Sequence, residues 1–557
     1  MNPSRIFKAS PAVAALAVAF LAPSALSQAD APLPNPPEFP FENPLLPDQD
    51  ILGKFLFWDE QLSHDNTVAC GTCHIHENGG TDPRAIPVTN PGLDGMFGTL
   101  DDIHGSPGVR SIDHGTNSLL MDGTFGTDAQ VTGRKTPSMI NAAYFNELFW
   151  DGRAVQAFTD PQTGLVEIPY LGALESQAAG PPLSEVEMSS VGRTWDDITA
   201  KLATVTPMAL GTNLPPEMID FRDANPTYAD MMTAVYGDPA ITSKRIIFAI
   251  ANYERTLIAD DTPLDDFLKD ITPDLGPFQP GFDLFQGVAN CASCHTLPFT
   301  MDNDFHNIGL RPDAEDIGRE GFTANPFDKG KFKTPMVRNA ALRVPLFHNG
   351  QAATVAELIE FYDGGGDFND NGLLDPFMLP LGLTAQEKAD LVDLIENGMT
   401  DARLVNNVFP FTRPTLRSEL PDTNVRYGVA SLDSQGGTAE IYANGPANRG
   451  NSNFVIGLRD AQPNRAASLV FSFVQDPNGT LFPDPRFPVP VNLGLGAIFL
   501  KAPTATDANG LASFNLEIPA DPILGGFEFY AQWFIADTGA NPPGNLYGTE
   551  GLAIEVL

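Results

Sequence analysis

Residues 70–74 read Cys-Gly-Thr-Cys-His, and residues 291–295 read Cys-Ala-Ser-Cys-His. Between them they hold every cysteine of the 557-residue chain: Cys70, Cys73, Cys291 and Cys294. Each pair is followed at once by an imidazole, His74 or His295. Three chemistries compete for such a pattern: a redox dithiol, half of a zinc site, or covalent attachment of haem c. Zinc ribbons place their halves about 15–20 residues apart, whereas these pairs lie more than about 200 residues apart. A redox dithiol gives no reason for a trailing histidine in both copies. Haem c does, because the two thiols form thioethers to the ring and the adjacent imidazole takes an axial position on iron. The spacing therefore predicts two covalently bound haem c groups, with His74 and His295 as proximal ligands.

The compartment suits that chemistry. Arg5 and Lys8 precede an apolar run from Ala12 to Ala22, and Ala25-Leu26-Ser27 offers a small-residue cleavage site, so residues 1–27 read as a secretory signal peptide. The run is shorter than the about 20 residues that span a bilayer, and no other candidate span is present. The expectation is an exported, periplasmic protein. Exported chains usually commit paired cysteines to disulfides, and here none is left over for one.

At this length several cores are expected. A net charge of -38 and a pI near 4.3 exclude a nucleic-acid partner and leave two readings, a solubilising surface or the steering of a basic electron donor. Residues 28–50 are proline-rich and read as an extended lead-in. Residues 51–274 read as a helical, loop-rich domain around the first haem, and 275–406 as a second haem domain. The latter closes on LTAQEKADLVDLIENG, where Thr384 and Glu387 fit a capping box. Residues 407–557 alternate apolar and polar in short runs such as AEIYA, FVIGL and FEFYAQWFIA, the pattern of a β-sandwich. The last histidine is His348, so this module holds no haem c. The fold class expected is a mainly α two-domain dihaem cytochrome c fold followed by an all-β sandwich domain.

The stretches LGKFLFWDEQLSHDNTVACGTCH, GRKTPSMINAAYFNELFWDGR, LESQAAGPPLSEVEM and FKTPMVRNAALRVPLFHNG closely resemble the bacterial dihaem cytochrome c peroxidase and MauG family, in order, over roughly residues 50–402. The resemblance implies a peroxidatic N-terminal haem and an electron-storing C-terminal haem. It implies Glu187 as the acid/base over the peroxide, Gln177 as its hydrogen-bonding neighbour, Trp150 as the inter-haem aromatic and Arg153 as a partner of a haem propionate. Where the family places an asparagine that helps hold an inter-haem Ca²⁺, this chain has Lys135, which argues against the ion there. A loop histidine that caps the first iron is sought in His104 and His114, both of which read as surface imidazoles. His64 and His76 read as non-ligands, and so does His306, which stands where a propionate contact is expected. The sixth ligand of the second haem reads as Tyr362, where classical members supply methionine, with Met378 as the fallback. A phenolate would lower that iron's potential and a thioether raise it. Ca²⁺ stays a candidate at the acidic turns between residues 77 and 133, and at Asp367, Asn369, Asn371, Gly372 and Asp375, which lack a closing glutamate.

The function expected is reduction of hydrogen peroxide to water with electrons from a small cytochrome c or cupredoxin. A MauG-like oxidation of a partner protein's side chain is the runner-up, and a non-enzymatic electron carrier is the alternative from another class. A homodimer is a candidate assembly.

Overall fold

The computed structural model describes residues 32–85, 89–369, 372–481, 489–537 and 545–557. The signal-peptide segment 1–27, the start of the lead-in and Asn371 lie outside the described residues. From residue 32 the lead-in runs without helix to Gln49. There the helix Gln49–Trp58 begins, and it turns Leu52, Phe55, Leu56 and Trp58 into the first core.

That helix packs on Ser243–Glu254, which is capped at its start by the Thr242 hydroxyl. Their approach is so close that a Cβ on Gly53 would lie 1.9 Å from the Ala249 carbonyl oxygen, which only glycine permits. The indole Nε1–H of Trp58 donates to Tyr253 Oη at 2.9 Å. On its other side the Trp58 ring lies against Gly71, where a Cβ would come within 2.3 Å. The glycine inside the first CxxCH is thus a packing requirement of the helix that precedes it. Two buried ion pairs hold the surroundings: Arg255 grips both oxygens of Glu175 at 2.7 and 2.9 Å, and Arg338 donates twice to Asp265 Oδ1 at 2.7 and 3.2 Å.

A second core gathers the helices Gln279–Gln286, Val355–Gly364 and Ala385–Asp393 around Phe282, Phe285, Ile359 and Leu391. The capping box read from Thr384 and Glu387 is present: each side chain bonds the other's backbone N–H.

The two CxxCH-bearing regions contain a repeated segment. Lys135-Thr136-Pro137 is followed by Asn141-Ala142-Ala143, and Lys333-Thr334-Pro335 by Asn339-Ala340-Ala341. In both copies the asparagine is left-handed, φ 61° and 60°, and opens a 3₁₀ turn. Both copies then close on a left-handed phenylalanine, Phe149 and Phe347. They face each other reciprocally: the Lys135 N–H donates to the His348 carbonyl at 2.7 Å, and the Lys333 N–H donates to the Trp150 carbonyl at 2.8 Å.

The C-terminal region is antiparallel β-sheet. One sheet runs in the order Ile498–Ala505, Ala466–Ser472, Glu528–Asp537, Gly551–Glu555 and Val425–Tyr427, with Asn545–Gly548 also paired to Glu528–Asp537. A second runs Ala512–Asn515, Val455–Arg459 and Glu440–Ala443. The two share one core of Ile441, Ile456, Leu469, Phe471, Trp533 and Ile554, as alternation along the strands requires. The Trp533 indole crosses the sandwich to donate to the Gly457 carbonyl at 3.1 Å. The module is seated on the first haem region through Asn66–Asn448 at 3.0 Å and Arg459–Asp128 at 2.7 Å. The connecting stretch is pinned by Arg413 to Glu77 at 2.9 Å, and by the Arg417 and Ser418 N–H groups to the Glu60 carboxylate.

Candidate active site

Two cavities lie side by side. Cys70, Cys73 and His74 line the first, and Cys291, Cys294 and His295 line the second. In each, the histidine Nδ1 meets a backbone carbonyl at 3.0 Å: Gly80 for His74 and Thr300 for His295. A carbonyl only accepts, so Nδ1 carries the proton and Nε2 keeps its lone pair for a metal. Burial lowers the proton affinity of both rings, which favours that neutral form. None of the four thiols is in a disulfide. Burial raises all the thiol values for which a shift stands out, to about 12 for Cys73 and Cys291 and further for Cys70.

Haem c fits what is present. Each cavity brings two free thiols and a correctly tautomerised imidazole to a largely apolar wall that includes Phe57 and Met139 on one side and Phe285 and Leu358 on the other. Each is also lined by buried cations that lack anions. The Lys135 ammonium and the Arg343 Nε have no hydrogen-bond partner, as expected of groups that await the carboxylates of a haem.

The residues that the resemblance singled out converge on these cavities. Glu187, Gln177 and Arg153 line the first. Burial raises the Glu187 carboxyl above its ordinary range, and the Ser184 hydroxyl and the Arg153 charge work against that. Arg153 lies 3.7 Å over the Phe149 ring and pairs with Asp151 at 3.0 Å, so its charge already has a carboxylate partner. Trp150 lines both cavities. Its Nε1–H donates to the Lys135 carbonyl at 2.7 Å, which fixes the indole at the seam, 6.2 Å from the His348 ring. Tyr362 and Met378 both line the second cavity. The Tyr362 phenol is pushed above its ordinary range by burial and then by Cys291 and Cys294.

Other expectations fare differently. His306 lines the second cavity, but both its nitrogens are taken by carboxylates: Nδ1 meets Asp375 at 2.6 Å and Nε2 meets Asp302 at 2.9 Å. The Asp302 bond foremost, then one to the Cys294 sulfur and the Asp375 bond, raise it to about 11, and both ring nitrogens are engaged by carboxylates. Asp375, which the sequence also placed in a candidate calcium loop, gives its Oδ2 to the His306 contact. In the acidic turns, Asp101 and Asp122 accept backbone N–H groups of their own loops. His104 and His114 are not among the residues lining the first cavity. His114 is half-buried, bonded to Ser190 and Asp197. His76 is buried, with Nδ1 2.6 Å from the Phe411 carbonyl.

Sequence reasoning did not single out three cavity residues. Lys333 lines both cavities, Arg343 the second and Glu254 the first. The Glu254 carboxyl has an unpartnered oxygen, and burial raises it to about 8. Only Lys333 carried a signal, through the repeated Lys-Thr-Pro.

Comparison with known proteins agrees with this geometry. The family model for di-haem cytochrome c peroxidase matches residues 47–272. The cytochrome-c peroxidase IdrP1 of Denitromonas iodatirespirans is 30% identical over 399 residues, covering 66% of this chain and 85% of its own. The methylamine utilization protein MauG of Methylorubrum extorquens is 28% identical over 361 residues, 64% of this chain and 80% of its own. A crystal structure of a MauG-like protein associated with microbial copper homeostasis aligns over 68% of this chain and 97% of its own, at 26% identity and a TM-score of 0.49. With IdrP1 of Denitromonas iodatirespirans 30% identical and matched over 85% of its length, the chain belongs to the di-haem cytochrome c peroxidase and MauG family.

Proposed function

We propose that the chain is an exported di-haem peroxidase that reduces hydrogen peroxide to water with electrons from a small redox protein. The observation that carries this reading is a half-buried carboxyl and an amide, Glu187 and Gln177, sharing a cavity with Cys70, Cys73 and His74, while Trp150 also reaches the second cavity. Relatives named cytochrome-c peroxidase support it.

The reaction consumes two electrons and two protons per peroxide and yields two waters. When bound, the haems supply redox-active iron, with a position for peroxide in the first cavity and an electron store in the second. The chain supplies the rest. Glu187 takes a proton from one peroxide oxygen and returns it to the leaving oxygen; its raised proton affinity narrows the gap between the two transfers. Gln177 orients the peroxide with its amide. Trp150, fixed through Nε1, offers the aromatic path between the cavities. His74 and His295 would hold the irons through Nε2, and Tyr362 would give the second iron a phenol oxygen.

We divide the chain into haem domains at 51–274 and 275–406 and a sandwich at 407–557. We assign 1–27 to export into the periplasm. The charge of -38 favours a basic donor, either a cytochrome c or a cupredoxin. Lys135 brings a cation to the seam, which argues against Ca²⁺ between the two cavities.

The test mixes purified holoprotein with hydrogen peroxide and a reduced small cytochrome c. Two donor equivalents oxidised per peroxide, at many turnovers, is the expected result. Donor oxidation that stops after a single charge of the protein's own haems would refute the peroxidase reading and leave an electron carrier.

A further inference from the structure

We propose that Lys135 and Lys333 form a cation bridge between the two haem sites, each ammonium seated against a carboxylate arm of a bound haem and raising the reduction potential of both. The proposal rests on the two-haem reading above. Both lysines are buried, with 3% and 7% of their surface exposed, and both line the two cavities at once. The Lys135 Nζ has no hydrogen-bond partner, and the Lys333 Nζ lies 3.4 Å over the Phe145 ring with no carboxylate partner among the described residues. The half-buried Arg343 adds a third positive charge that acts on both. The only carboxylate that acts appreciably on Lys135 is Asp82, and Arg84 already holds it at 2.9 Å.

A buried ammonium is either neutralised or paired, because isolating the charge from water is so costly. Burial, then the Arg343 charge, weakens the hold of both on their protons, taking Lys135 down to about 8 and Lys333 down to about 7. A haem c brings a pair of propionate carboxylates into such a cavity and gives both ammonium groups an anionic partner. The seam position follows from the backbone. Each lysine N–H is bonded to a carbonyl of the opposite repeat, Lys135 to His348 and Lys333 to Trp150. Each side chain is therefore set where the two sites meet. A positive charge there opposes the oxidised state of either iron, so one lysine influences both.

The experiment uses full-length holoprotein. Denatured mass counts attached haems, and an optical redox titration reads both midpoints, for the parent, Lys135→Met and Lys333→Met. Two haem masses throughout are expected. Each methionine variant should lower both midpoints by about tenfold in the reduction equilibrium, 59 mV for a one-electron couple. Midpoints that do not move, or a shift of one haem alone, with both haems attached, would overturn the bridge. Should a methionine variant fail to mature, Lys135→Arg and Lys333→Arg carry the test. They must keep the parent midpoints, and a fall of both would overturn the proposal. A parent with fewer than two haem masses would overturn the two-haem reading itself, and the bridge with it.

Discussion

Replacing Glu187 by glutamine changes one capacity of the first cavity and little else. The amide keeps the side chain's shape and its ability to bond Ser184, but it cannot ionise. Gln177 and Arg153 stay in the same cavity, so peroxide binding is preserved and the loss falls on proton transfer. A positioned acid/base is worth about a hundredfold to ten-thousandfold in turnover, or about 3–5 kcal/mol of barrier. The sign of the pH effect follows from burial. The Glu187 carboxyl is raised above its ordinary 4.5, and it must be ionised to accept the first proton. Parent turnover should therefore fall on the acid side as pH drops through that raised value, and Glu187→Gln should remove this limb together with most of the rate. Stopped-flow oxidation of a reduced cytochrome c, read across roughly pH 4 to 8, measures both. A glutamine variant within a few-fold of the parent, or one that keeps the acid limb, would refute the assignment. Glu254 is the control, since it is the other carboxyl of that cavity with a raised value. A collapse in Glu254→Gln with Glu187→Gln intact would move the acid/base role there.

Replacing Cys70 and Cys73 by serine should remove one haem mass of two from the denatured protein, and loss of both or neither would contradict separate attachment sites. Tyr362→Phe should alter the optical and EPR signature of the second haem alone, and Tyr362→Met should raise its potential; an unaltered spectrum would transfer the sixth position to Met378 or another residue. Glu254 sets a stability trend as well as a control. Its folded value of about 8 lies above the 4.5 of an exposed carboxyl, so its contribution is fully present below about pH 4.5 and is lost as pH rises through 8. Urea midpoints of holoprotein should fall over that window, and Glu254→Gln should flatten the fall.

Much of this was legible because the signals are local. A CxxCH needs only five residues, an alternating strand reads from its own pattern, and Thr384 with Glu387 declares a helix start within one turn. The chemistry of the seam is not local. Lys333 could have been read from the repeated Lys-Thr-Pro, but its charge gains meaning only when Trp150 and His348 bring the two copies together. Arg343 and Glu254 sit in unremarkable contexts, and packing alone aims them inward: Glu254 closes the helix that Gly53 lets approach so closely. His306 shows the opposite failure, a residue whose sequence position suggested one partner while Asp302 and Asp375 took both nitrogens.

The seating of His76 on Phe411 bears on the order in which the protein is completed. The first haem segment is synthesised early, yet the ring two residues beyond its proximal ligand is bonded to a carbonyl 335 positions later. Glu77 beside it waits for Arg413, and Glu60 for Arg417 and Ser418. Chain closure over such a span is slow and entropically costly. The segment 411–418 thus covers the flank of the first CxxCH from a point far along the chain, and its deletion would take these partners from His76, Glu77 and Glu60 together.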